Sequence, residues 1–351
     1  MMRVALITNA PPTSGAGKPA HQLVLALRSQ SAATLEIDHF VLDPTESNVR
    51  RNGAVIIHIR RVTELKPLAW VRLARALAPH LAAYDIVHLT NQTLGFLVPR
   101  LRTTVLTVWD LIELLDPQER GGSLVARYLY RGIPKAHQVI TVSRYTAGKV
   151  QERFRVPNDR LSIIPPAVSP LFRFIPALWE TAGGKDFAFQ QKLALDQPIV
   201  LYVGSEHRRK NLRRLLEAIA IVRQTLPRIL FVKIGSAGSA TGHAEFAATV
   251  SRLKLTRSVR VVTEAHDEEL LYWYHAATLL AFPSLFEGFG LPPLEAMACG
   301  TPVVTSARTS LPEVVGDAAV TIDPESVESI VGGLLRVLTD GQLRSRLRQG
   351  G

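Results

Sequence analysis

The chain has 351 residues, 47% hydrophobic and 20% charged, a length too great for one ordinary core and suited to two domains of ~150 residues each. Its single cysteine, Cys299, excludes an intrachain disulfide, and no apolar run approaches the ~18 residues that a membrane-spanning helix requires, so a cytoplasmic protein is expected. The formal charge of +11 is uneven, with 21 Lys and Arg against 12 Asp and Glu in residues 1–165 and 20 against 18 thereafter; such a basic half suits an anionic membrane surface or a phosphorylated substrate. Aromatic residues do not interleave the basic positions as a single-strand groove needs, which argues against nucleic acid.

In chain order, strand-like runs at Val4–Thr8, Val55–Ile59, Ile86–Leu89, Val105–Val108 and Val139–Val142 alternate with helical patterns at Gln22–Leu27, Ala69–Leu81 and Arg144–Phe154. That alternation predicts parallel strands joined by crossover helices. Met1 to Thr8 reads as a strand, not as a signal peptide. The loop after it, Asn9 to Lys18, contains Gly15 and Gly17, which let backbone approach a phosphate or an acceptor and equally suit a flexible turn. It is not a nucleotide-triphosphate loop, because Pro12 stands five positions before Gly17 and Lys18 is followed by Pro19. Lys66 to Leu77 combines an apolar stripe with Trp70, Arg72 and Arg75, as expected of a helix covering the sheet or of one grazing an anionic membrane. Asp110, just past the strand ending at Val108, is placed to orient a ligand hydroxyl or to cap its own loop, and Ser143 reads as a helix N-cap.

Pro165, Pro166, Pro170 and Pro176, followed by Gly183-Gly184-Lys185, mark residues 166–197 as linker and surface loop. A second series follows at Ile199–Val203, Ile229–Ile234, Val259–Val262, Leu279–Phe282, Pro302–Thr305 and Val320–Ile322, with helices predicted at Leu212–Val222, Ala244–Leu253, Glu268–His275 and Pro293–Ala298. The expectation is therefore an α/β protein of two tandem Rossmann-like, doubly wound domains, 1–165 and 198–351, with a ligand crevice where the two face one another.

Strand Ile199–Val203 leads through Gly204-Ser205-Glu206-His207-Arg208-Arg209-Lys210-Asn211 directly into a helix. Cations and amides at a helix N-terminus suit an anion, above all a diphosphate, although a solvated basic turn has the same composition. After Leu279–Phe282 comes Glu287-Gly288-Phe289-Gly290-Leu291-Pro292-Pro293-Leu294-Glu295, two carboxylates eight positions apart across a glycine-rich turn. The glycines permit close approach of backbone to ligand, Pro292 and Pro293 suit a first helical turn, and the two carboxylates can accept from two sets of sugar hydroxyls. The alternative is a capping Glu295 and a surface Glu287. No Asp-x-Asp triplet and no His or Cys cluster has metal-ligand spacing, so neither metal nor cofactor is expected.

The stretch from Ser284 to Val304, with its Glu-x7-Glu spacing, resembles the donor-binding signature of glycosyltransferase family 4; Tyr202-Val203-Gly204 with Arg209-Lys210-Asn211-Leu212 is similar to the family's pyrophosphate-binding strand and loop, and Leu311 to Ala319 to its later loop. The resemblance implies a two-lobed GT-B fold and retaining transfer of a mannosyl or glucosyl unit from a nucleoside diphosphate sugar to a glycan or lipid-linked acceptor, in polysaccharide biosynthesis. By it, Gly204, Arg209 and Lys210 receive the diphosphate, Glu295 the ribose, and Glu287 with the backbone of Gly288, Phe289, Gly290 and Leu291 the transferred sugar. Asp110 joins Glu287, Arg209 and Lys210 as a reacting-centre residue, while Gly15 and Gly17 match an acceptor-side loop. Trp109 departs from the family, whose members commonly carry His there, which implies a reshaped acceptor site or reduced activity. The resemblance also leads to the expectation that a final helix crossing back to the first domain is missing. A non-catalytic sugar-nucleotide binder and a nucleotide-sugar epimerase on the same fold are the rival readings.

Overall fold

Short apolar runs bounded by turn residues form the strands of two parallel sheets, one in each of the units Met1–Ala167 and Val168–Gly351. The computed structural model describes residues 1–10, 17–30, 34–43, 54–58, 67–115, 124–194 and 196–351. In the first unit these are β1 Met2–Thr8, α1 Gly17–Gln30, β2 Leu35–Asp43, β3 Ala54–His58, α2 Pro67–Leu81, β4 Ile86–Leu89, β5 Thr104–Val108, α3 Ile112–Leu115, α4 Leu124–Leu129, β6 Gln138–Thr141, α5 Arg144–Phe154 and β7 Leu161–Ile163. The described strands pair in parallel in the order β3-β2-β1-β4-β5-β6-β7.

Strand β2 is absent from the sequence reading because Glu36, Asp38 and His39 interrupt its apolar pattern. The fold neutralises them: Arg3 of β1 lies 3.4 Å from Glu36 and 3.9 Å from Asp38, the Tyr84 hydroxyl donates to Asp38 at 2.6 Å, and buried His39 bonds the Thr8 hydroxyl at 2.9 Å. In α2, Trp70, Ala74, Leu77 and Leu81 are buried and the Trp70 ring stacks on Tyr128 at 5.1 Å, while Arg72 and Arg75 are exposed. The helix therefore covers the sheet and spends its indole on the core, with Arg72 and Arg75 on its solvent side. Ser143 caps α5, accepting from the Thr146 amide at 3.1 Å.

The second unit contains α6 Ala182–Gln190, β8 Ile199–Val203, α7 Leu212–Thr225, β9 Leu230–Ile234, α8 Ala240–Arg252, β10 Val259–Val262, α9 Asp267–Ala276, β11 Leu279–Phe282, α10 Leu291–Ala298, β12 Val303–Ser306, α11 Leu311–Val315, β13 Val320–Ile322, α12 Val327–Thr339 and α13 Gly341–Gly350. Its strands pair in parallel in the order β10-β9-β8-β11-β12-β13, over a core that includes Trp273, Tyr274, Phe231 and Phe282. The expected linker and surface loop over 166–197 is corrected: from Val168 onward it belongs to this unit, and Gly183-Gly184-Lys185 lie in α6. Thr181 caps that helix by accepting from the Gly184 amide at 3.1 Å, Gly184 is packed against the Leu178 backbone with no room for a side chain, and Phe187 meets Trp273 edge-on at 5.2 Å. Glycine here serves packing, not a turn.

Both sheets are wound alike, the third strand of each unit leading through the second and first to the fourth and onward. Strand order reverses between β1 and β4 in one sheet and between β8 and β11 in the other. Loops leaving the carboxyl ends of such a pair diverge to opposite faces and open a crevice.

Candidate functional site

The crevice of the second sheet lies between Val203 and Phe282, the last residues of β8 and β11. From β8 the chain turns at Gly204, φ 152°, and passes through a short 3-10 turn, Arg208–Lys210, into α7. From β11 it runs through Pro283 to Gly290 into α10. The loops are joined by backbone, the Leu285 amide donating to Arg209 O at 2.7 Å. Asn211 joins them again: held at φ 62°, which Asn tolerates better than most residues, it donates to Pro283 O at 3.1 Å and to Pro324 O at 2.6 Å and accepts from Arg214 at 3.2 Å. One buried amide thus ties the segments that follow β8, β11 and β13.

These ties bring together three of the predicted residues. Lys210 Nζ lies 2.5 Å from Glu287 Oε1, Arg209 Nη1 lies 3.5 Å from Glu287 Oε2 and donates to Phe286 O at 3.4 Å, and the Lys210 ammonium sits 5.0 Å from the Phe282 ring centroid. Burial alone would push the Glu287 carboxyl up, but Lys210 and Arg209 outweigh it and hold the group below its ordinary range. Two cations therefore converge on one buried carboxylate, and the cluster carries a surplus of positive charge held in fixed orientation. The surface alternative for Glu287 does not hold, since it is 8% exposed.

The loop that presents Glu287 is fixed from below. Its amide donates to Thr309 Oγ1 at 3.2 Å, and Ser310 Oγ donates to Glu287 O at 3.0 Å and to Phe289 O at 2.8 Å. Thr309 and Ser310, from the segment after β12, were not singled out from the sequence; two hydroxyls before a helix give little signal. Gly288 is buried, and Gly290 has φ 122° with its α-carbon facing Leu311, where an added Cβ would come within 2.7 Å of Leu311 Cδ2. Leu291 opens α10, and the adjacent prolines remove two of its first-turn donors, leaving a shorter row of free amides than a helix start usually offers.

Glu295 is the fifth residue of α10, past the capping position, and 6% exposed. Its carboxylate turns toward α9 and accepts from the Tyr274 hydroxyl at 2.8 Å, and burial, reinforced by Glu295, pushes the phenol well above its usual range. Tyr274 is a further residue that sequence reasoning missed, lying 21 positions away in an aromatic-rich helix that reads as plain core.

In the first unit, Asp110 Oδ1 accepts from the Ile112 amide at 3.1 Å, the capping alternative. Trp109 is fastened by its indole to Thr90 O at 2.8 Å and by its amide to Gln92 at 3.1 Å, and Asn9 donates to Thr93 at 2.7 Å. All lie past the carboxyl ends of β1, β4 and β5, the equivalent crevice of that sheet. Gly17 is not in a loop but is the first, buried residue of α1, with Pro19 in the opening turn; Gly15 lies outside the described residues. Among the described residues no group of three or more His, Cys, Asp and Glu is placed to hold a metal, and no helix is long and apolar enough to cross a membrane.

Comparison with known proteins agrees with this fold. Residues 185–351 match the family described as glycosyl transferases group 1, and residues 14–170 match Glycosyltransferase Family 4. O-antigen chain mannosyltransferase B of Escherichia coli is 32% identical over 317 residues, 87% of this chain and 79% of its own length. A longer relative from the same organism, the serotype-specific mannosyltransferase WbdA, is 31% identical over 68% of this chain but only 29% of its own length. Among solved structures, sucrose-phosphate synthase from Thermosynechococcus elongatus aligns with a TM-score of 0.81 at 23% identity over 100% of this chain and 94% of that one. HepE from Anabaena, in complex with UDP and glucose, aligns with a TM-score of 0.79 at 16% identity over 100% and 93%. With a two-lobed glycosyltransferase fold shared along its whole length and a mannosyltransferase relative matched over most of it, the chain belongs to glycosyltransferase family 4, the group 1 glycosyl transferases.

Proposed function

We propose that the second unit binds a nucleoside diphosphate sugar and that the chain transfers its hexosyl group, of mannosyl or glucosyl type, to a hydroxyl of a glycan or lipid-linked acceptor with retention of configuration. The observation that carries this reading is the convergence of Arg209 and Lys210 on buried Glu287 at the strand-order reversal. The UDP complex of HepE and the mannosyltransferase name of the relative from E. coli support the donor and sugar classes. In the transfer, the bond from the anomeric carbon to the diphosphate oxygen breaks, a bond to the acceptor oxygen forms, and the hydroxyl proton passes to the departing phosphate. Arg209 and Lys210 stabilise the charge that grows on that phosphate, each oriented donor contributing ~3 kcal/mol in a water-poor site. Glu287 and the backbone from Gly288 to Leu291 hold the sugar, Glu295 the ribose, and Asp110 orients a hydroxyl from the first unit. The cations take the place of a divalent ion, so the reaction is metal-independent, and the protein works in the cytoplasm with its basic first unit toward an anionic membrane.

Thermal shift with GDP-mannose, UDP-glucose and ADP-glucose tests the donor class, since a ligand at a hundred times its dissociation constant adds ~2.7 kcal/mol. Stabilisation by none of them defeats the reading. Donor that is held but not consumed when oligosaccharide acceptors are supplied indicates the non-catalytic binder, and activity lost to a chelator and restored by magnesium or manganese refutes metal independence.

A further inference from the structure

Lys233 lies near the carboxyl end of β9, in the run Leu-Phe-Val-Lys-Ile, with a side chain only 1% exposed. All three of its ammonium donors are used: Glu206 Oε1 at 2.6 Å, Gly235 O at 2.5 Å and Ser236 O at 3.2 Å. The Glu206 side chain is equally buried, and its second oxygen is 2.7 Å from Nδ1 of His243, whose ring on α8 is largely exposed. An apolar pair of the same volume would hold a core at least as well as two buried ions. Such a pair would lack directed bonds, and here the bonds aim at one place.

Glu206 stands three residues before Arg209, on the segment that delivers Arg209 and Lys210 to the crevice. Backbone ties at its near end run from the Gly204 amide to Ile234 O, 2.8 Å, and from the Glu206 amide to Ala237 O, 3.2 Å. The carboxylate adds a third tie, and Lys233 reaches from it to the loop on which Ala237 sits.

We propose that Glu206 and Lys233, completed by His243, are positioning residues that set the diphosphate-binding loop after β8 in its ligand-ready form. The inference rests on the donor reading above and goes beyond it by assigning affinity to three residues outside the cation cluster.

The test is calorimetric titration of UDP, GDP and ADP, separately, into the full chain and into Glu206→Met/Lys233→Met, with urea unfolding and steady-state kinetics alongside. Removing both charges leaves no unpaired ion, although Gly235 O and Ser236 O lose their Lys233 donor, so a lowered unfolding midpoint with a folded baseline is expected, while nucleotide affinity of the folded variant falls about tenfold or more and donor KM rises with it, acceptor KM remaining unchanged. Parental affinity in the folded double variant overturns the proposal. Should that variant not fold, Glu206→Gln, which keeps the shape but weakens both charge-assisted bonds, carries the test: a loss of about threefold or more is expected, and parental affinity refutes it. A parent chain that takes up none of the three nucleotides overturns the donor reading itself, and this inference with it.

Discussion

Replacing Glu287 by Gln removes the charge that Lys210 and Arg209 share while leaving the shape of the side chain in place. The lost interaction is a buried, charge-assisted contact at 2.5 Å with a second cation at 3.5 Å. Such a bond contributes about 2 kcal/mol net, and in a unit of this size each kcal/mol moves the melting temperature by roughly 2–4 °C, so the expected fall at neutral pH is about 4–8 °C. The pH dependence has a definite sign. The folded-state pKa of Glu287 lies below its ordinary value, so its contribution to stability is complete above about pH 5 and is lost as pH falls through the folded-state value. Differential scanning calorimetry of both proteins from pH 7.5 down to pH 3.5 should show the gap in melting temperature closing below about pH 5. A gap that stays constant over that range, or a variant as stable as the parent at pH 7, refutes the account of Glu287 as a buried anion held by its two neighbours.

Arg209→Ala and Lys210→Ala should each lower kcat by about 10²- to 10³-fold, measured by donor turnover with acceptor saturating, and an unchanged kcat in either removes that residue from the reacting centre. Tyr274→Phe leaves the buried Glu295 carboxylate short of a donor, at a cost of about 1–3 kcal/mol in urea unfolding; equal midpoints would show that another group satisfies it. Gly290→Ala forces a side chain into φ 122° and toward Leu311, and should cost about 1–3 kcal/mol, with circular dichroism of the denaturation curve as the measure.

The central strands of the second sheet, β8, β9 and β11, were legible because each is a short, nearly uninterrupted apolar run, as burial on both faces of a parallel sheet demands. Strand β2 was not, since its acidic residues are compensated by Arg3 and Tyr84, partners that only the folded register supplies. The same limit applies at the site. Arg209, Lys210 and Glu287 could be anticipated because cations at a helix start and a carboxylate in a glycine-rich turn stand out within their own loops. Glu206, Lys233 and His243 could not, for they are 27 and 37 positions apart and each alone resembles an ordinary surface residue. Likewise the two glutamates share a motif yet turn to different neighbours, Glu287 to Lys210 and Glu295 to Tyr274. Spacing along the chain fixes which element carries a side chain but not which way a helix rotates it.

The contact of Asn211 with Pro324 has a consequence for how the protein matures during synthesis. Every charged group of the pocket lies upstream of residue 300, so a nascent polypeptide carries the full set long before it is finished. The tie from Asn211 to the segment behind β13 can nonetheless form only after that segment has emerged, so the fastening of these loops is completed late. A nascent chain that ends before Pro324 therefore lacks this bond while already carrying Arg209, Lys210 and Glu287.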